Sequence, residues 1–215
     1  DVEGLDPERI YRVSAFLKTS GVSEGRGAVL TVETENTDQE WNASEFCYGD
    51  SDWKKVYVDF VPAATGKAQI RCRLGDHEGT YNGGTAHGKV WWDCISLREI
   101  LPEELCIREG KHIRLALDTD KVCVSDSTLD SWLANLDSVY ESYSRLVGGT
   151  PFNGSRITIL TTPGVEAGYW ALAGNPILWN NHVGIDKSLL STRDNGDWNF
   201  GVMHEIGHTF SGYCR

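Results

Sequence analysis

The chain has 215 residues, 40% of them hydrophobic and 8 of them Trp, enough for one large domain or two small ones with a real core. Its formal net charge of -11, without any Lys/Arg cluster, argues against nucleic acid and anionic membrane surfaces, both of which need cations to meet their phosphates. No apolar run approaches the ~20 residues that cross a bilayer, so no membrane span is expected.

The chain opens on the polar segment Asp1-Val-Glu-Gly4 without a signal peptide. An export signal is therefore expected to have been removed, or the chain to lie inside a longer protein, with both ends cut. The first hundred residues read as strands. Ile10 to Lys18 alternates, Ala28 to Glu33 is a β-branched run, and Lys55 to Val61 alternates with Val56, Val58 and Phe60 on one face. Ala68 to Leu74 and Lys89 to Leu97 follow. Between the strands lie turn-rich pieces such as Gly75-Asp-His-Glu-Gly79, where Asp76, His77 and Glu78 read as a solvated loop. Short strands at this spacing predict an all-β sandwich over 1–100.

Residues 101–110 read as a linker containing Pro102. From 111 the periodicity changes. Lys111 to Leu117 is a strand, and Leu129, Trp132, Leu133, Leu136, Val139, Tyr140, Tyr143 and Leu146 recur at helical spacing. Ser127 is the expected cap of that helix, with Asp130 as its partner, and Gly148-Gly149 its end. Arg156 to Thr161 is a further strand, Gly174 to Trp179 an expected edge strand that tolerates Pro176, and Asp197 the expected cap of a last helix through Phe210.

That last helix carries His204-Glu-Ile-Gly-His208, an H-e-x-x-h pattern. Residues four apart share a helix face, so both imidazoles can reach one zinc ion. Glu205 then lies where it can take a proton from the attacking water. A catalytic zinc takes three protein donors. The third ligand is expected to be absent from this sequence; otherwise Cys214 is chemically able to serve, with His182 an upstream alternative.

Six cysteines, Cys47, Cys72, Cys94, Cys106, Cys123 and Cys214, allow up to three disulfides in 15 connectivities, and no C-x-x-C pair marks a zinc ribbon. Together with the sequons Asn42-Ala-Ser44 and Asn153-Gly-Ser155 they point to a secreted, extracellular protein. Aromatic faces stack on the apolar face of sugar rings, and Trp41 and Tyr81, in turn-rich stretches, are the preferred carbohydrate-binding residues. Trp53 is expected in the core. Of the neighbours Trp91 and Trp92, one is expected to face the core and the other the opposite side. His87 and His112 are expected to be solvated.

The segments Tyr11-Arg-Val-Ser-Ala-Phe-Leu-Lys-Thr19, Trp53 to Phe60 and Val90-Trp-Trp-Asp-Cys-Ile-Ser-Leu97 resemble the jelly-roll carbohydrate-binding modules of secreted glycan-degrading enzymes, over about residues 5–98. That resemblance implies a glycan partner, and a structural calcium at Asp93. Ala167 to Ile177, followed by Trp198 to His208, resembles the enhancin-like gluzincin peptidases, which act on mucins and other glycoproteins. The second resemblance implies an incomplete, α/β zincin-like upper lobe over 111–215. In it His204 and His208 would be zinc ligands, Glu205 the general base, and the edge strand the holder of the substrate backbone. The reading is thus a zinc-dependent endopeptidase acting on extracellular, mucin-type glycoproteins. The alternative is a non-catalytic carbohydrate-binding fragment whose peptidase half is incomplete.

Overall fold

A computed structural model describes residues 1–36, 42–75, 85–164, 170–196 and 200–211. Trp41, Tyr81, Asp197, Cys214 and the Asp76–Glu78 loop lie outside them. The chain divides into two compact units, Asp1–Ile100 and Leu101–Arg215. Strand is the main regular structure, in several sheets.

In the first unit, β1 (Tyr11–Ser23), β2 (Ala28–Glu33), β3 (Gly49–Phe60), β4 (Gln69–Leu74) and β5 (His87–Glu99) form a β3-β1-β5 sheet and a β2-β4 pair, with antiparallel ladders. Alternation sends Val13, Ala15 and Leu17 of β1 and Val56, Val58 and Phe60 of β3 into one core with Leu30 and Val32 of β2. Arg12 of β1 donates two hydrogen bonds to the buried Asp59 of β3, at 2.6 and 2.7 Å, with its guanidinium 4.1 Å above the Tyr57 ring. This pairing fixes the β1–β3 register at one end.

Register shifts interrupt both ladders of β1, and two of them bear on exposed residues. On the β3 side, Leu17 pairs with Lys54 but Thr19 with Ser51, so Asp52 and Trp53 both stand opposite Lys18. On the β5 side, Ser14 pairs with Ser96 but Phe16 with Asp93, and Cys94 adopts φ 50° in the extra turn.

Trp53 is 45% exposed, not core. Strict alternation from Val56 places it on the outer face, and its apolar character does not override the pleat. Trp92 packs against the core while Trp91 is 45% exposed, as neighbours on a strand must divide. Asn42 is fully buried, whereas Asn153 is exposed, so the two sequons differ in access. The five described cysteines are free thiols, with Cys47 buried in the first core and Cys106 packed on the second. None of these five forms a disulfide.

The second unit holds β6 (Leu105–Glu109), β7 (Ile113–Asp118), α1 (Asp126–Val147), β8 (Ile157–Thr162), β9 (Ala171–Leu172), β10 (Ile177–Asn180), α2 (Ile185–Asn195) and α3 (Phe200–Phe210). Its sheet runs β6-β7-β8-β10-β9, with β7, β8 and β10 parallel and both outer strands antiparallel. The segment 101–110 is thus only partly a linker, since β6 occupies its second half.

The strand near 174–179 is not an edge. β10 lies between β8 and β9, all four of its residues are buried, and Pro176 precedes it rather than sitting in the ladder. The edge is the two-residue β9. Trp179 of β10 stacks on Trp132 of α1, ring centres 5.5 Å apart, in the middle of the core.

The cap of α1 is Ser125, not Ser127. Its hydroxyl accepts the Thr128 N–H at 3.3 Å, and Gly148 closes the other end at φ 70°, donating to the Ser144 carbonyl. The first turn is polar, so the apolar stripe starting at Leu129 cannot locate it. His112 is not a solvated loop residue: it stacks on Tyr140 of α1, ring centres 4.3 Å apart.

Candidate active site

Val202, Ile206 and Phe210 recur every four residues along α3 and are all buried. Phe210 meets Tyr140 edge-on at 5.0 Å and stacks on Tyr143 at 5.6 Å, tying α3 to α1. Gly207 leaves this contact uncrowded. A Cβ there would stand 3.1 Å from the Tyr143 hydroxyl oxygen and 3.3 Å from its ring carbon.

With that face buried, the opposite face presents His204 and His208, both exposed. Their Nε2 atoms are 2.8 Å apart, and the rings are nearly perpendicular at 86°. At that distance one ring nitrogen can donate to the other. Two imidazole nitrogens on one tetrahedral zinc, each at ~2.0–2.1 Å, stand about 3.3 Å apart. The pair needs to open only slightly to share an ion.

Glu205 is half-buried on the same helix. Burial pushes its carboxyl above the usual range, while the neighbouring His208 and His204, and the Ala173 N–H that it accepts, pull the other way. Ala173 follows β9, so Glu205 lies against the edge of the sheet.

The loop behind that edge is held by Asn175, whose Oδ1 accepts the Thr158 N–H at 3.0 Å and whose Nδ2 donates to the Arg156 carbonyl at 3.0 Å. These roles of Gly207, Ala173 and Asn175 have no spacing signature. Only the chain's return across β8 and α1 creates them.

Among the described residues, no three His, Cys, Asp or Glu side chains gather to hold a metal. His182 is exposed on the turn after β10, its N–H taken by Asn180, and does not join the histidine pair. Cys214 lies outside the described residues.

Asp93 stands exposed on β5, and its carboxylate takes the Cys94 N–H at 2.7 Å, closing the bulge. Among the described residues, Asp93 belongs to no group of three or more His, Cys, Asp or Glu side chains of the kind that could hold a metal ion.

No family model matches the chain, and no curated protein matches it. Among solved structures the chain has a weak likeness to a metallopeptidase from Bacteroides thetaiotaomicron, at a TM-score of 0.34 and 10% identity, over 99% of this chain and 41% of that one. The chain thus spans less than half the length of that protein.

Proposed function

We propose that the second unit belongs to a zinc-dependent endopeptidase acting on extracellular glycoproteins of the mucin type. The observation that carries this reading is the convergence of the His204 and His208 ring nitrogens on the exposed face of a helix whose other face is locked into the core. The donor chemistry fits two of the three protein ligands of a catalytic zinc. Cys214 remains the candidate for the third. Zinc, when bound, supplies a Lewis acid for the scissile carbonyl.

Glu205 takes a proton from the attacking water and returns it to the leaving amine. Burial raises its carboxyl above the usual carboxylate range, which favours its taking up a proton. The edge position of β9 suits an extended peptide backbone adding to it, past Glu205.

A second reading, a carbohydrate-binding fragment without catalysis, draws support from the exposed aromatics of the first unit.

The test is zinc content and hydrolysis of a mucin-type glycoprotein by the wild-type chain, His204→Ala and Glu205→Gln. One tightly held zinc is expected in wild-type and Glu205→Gln, and its loss in His204→Ala. Hydrolysis should fall about 100-fold or more in Glu205→Gln. Cleavage that survives Glu205→Gln, or wild-type protein that takes up no zinc, would refute the peptidase reading for this chain.

A further inference from the structure

The parallel ladder of β10 on β8 is completed by a side chain. Ile177 lies opposite Ile159, and the same register carried two residues back sets Asn175 opposite Ile157. In a parallel ladder a residue accepts from the N–H that follows its opposite number and donates to the carbonyl that precedes it. Asn175 does both with its carboxamide. Its Oδ1 accepts the Thr158 N–H and its Nδ2 donates to the Arg156 carbonyl, each at 3.0 Å. The buried amide thus takes the place of a peptide group, beyond the point where the main chain has left the ladder.

The main chain of the turn is thereby released for another partner. At the sheet edge the Asn180 N–H donates to the Trp170 carbonyl at 3.0 Å, which makes these two residues a hydrogen-bonded pair. The register continues with Ala171 opposite Trp179 and Leu172 opposite Leu178. Hydrogen-bonded pairs alternate with non-bonded ones, whose N–H groups point away from the neighbouring strand. Ala173 falls in the non-bonded alternation with Ala171, and its N–H donates to the Glu205 carboxylate on α3. Gly174, at φ 144°, then takes the chain through a conformation that side chains rarely adopt, and Asn175 and Pro176 lead into β10. The carboxamide anchored in the ladder and the N–H that meets Glu205 are therefore two residues apart on one short turn.

We propose that Asn175 is a positioning residue for the general base: by standing in for a peptide group on β8 it fixes the turn, and through the turn the Ala173 N–H, against Glu205. The inference rests on the peptidase reading for the role of Glu205. One carboxylate oxygen held by that N–H leaves the other for the attacking water. Ala at position 175 removes both hydrogen bonds to β8. Asp keeps an acceptor for the Thr158 N–H and loses the donor to the Arg156 carbonyl.

The test is backbone amide hydrogen exchange, read by NMR on the full chain, with zinc content and hydrolysis of a mucin-type glycoprotein measured alongside. Asn175→Ala should speed exchange at both Thr158 and Ala173 by about tenfold or more, and Glu205→Ala at Ala173 alone. Zinc content of Asn175→Ala should match the wild type. Its kcat should fall about tenfold, with KM within about twofold. The double variant Asn175→Ala/Glu205→Gln should be no slower than Glu205→Gln, because a residue acting through Glu205 then has nothing left to position. If Asn175→Ala fails to fold, Asn175→Asp carries the same readouts, with faster exchange expected at Ala173 and less change at Thr158.

Ala173 exchange that is indifferent to Asn175, or a double variant whose loss is the product of the two single losses, overturns the proposal. Wild-type protein that holds no zinc and cleaves no glycoprotein refutes the peptidase reading instead. The exchange of Ala173 in Asn175→Ala and Glu205→Ala needs neither zinc nor turnover, so it decides separately whether Asn175 sets this contact.

Discussion

Asp137 lies half-buried on α1, and its carboxylate accepts three successive backbone N–H groups, from Lys111, His112 and Ile113, at 2.7, 2.9 and 2.9 Å. It thereby caps the chain where it enters β7. Hydrogen bonds to a charged group contribute more than neutral ones, so Asp137→Ala should destabilise the second unit by about 2–3 kcal/mol, measured by urea denaturation. Gly110 presses on the same carboxylate, leaving no room for a Cβ. None of this is legible in the sequence, where Asp137 is one polar residue on a helix and its partners lie 24 to 26 residues away. His204, Glu205 and His208 are a different matter. Their geometry is local to one helix, so a spacing of four was enough to put both imidazoles on one face. Trp53 shows the reverse error: its bulk suggested burial, while the phase of Val56, Val58 and Phe60 already assigned it to the outer face.

At the scale of elements, most strands and the helices α1 and α3 follow from periodicity, α2 does not, and the misplacements have physical causes. The α1 cap moved because a polar first turn leaves no apolar trace. Ser125→Ala should therefore cost about 1 kcal/mol and Ser127→Ala only a few tenths, read from thermal melts of the two variants side by side. The reverse order would restore Ser127 as the cap. β10 was mistaken for an edge because Pro176 suggested a missing donor. The proline instead precedes the strand, and the edge falls to β9, too short for any pattern to reveal. Bulges are similarly invisible to alternation until pairing is known, yet it is the β3 bulge that brings Asp52 and Trp53 to one position opposite Lys18.

For the molecule as a whole, each unit has its own buried cluster, with Leu30 in the first and Leu136 in the second, both fully buried. Leu30→Ala should destabilise the first unit by about 2–5 kcal/mol through the cavity it leaves. The unfolding signal of the second unit should persist in this variant at temperatures where the strand signal of the first unit has already melted, read by circular dichroism and Trp fluorescence. Loss of both signals in one transition would mean that the two cores unfold as one. The acidic surface, with a net charge of -11, keeps non-specific binding to polyanions low, so retention on an acidic glycan would have to come from specific contacts.

The burial of Asn42 reaches beyond packing. Asn42 and Ser44 of one acceptor signal are both fully buried, with the Ser44 hydroxyl accepting the Leu30 N–H at 3.1 Å, while Asn153 of the other signal is in the open. Production in a host that attaches N-linked sugars would expose both signals to the transferase before the chain closes. A sugar on Asn153 is compatible with the finished fold, whereas one on Asn42 is not. Occupancy at Asn42 would thus record molecules caught before their first sheet had formed, and a bacterial cytoplasm or an Asn42→Gln chain avoids that dead end.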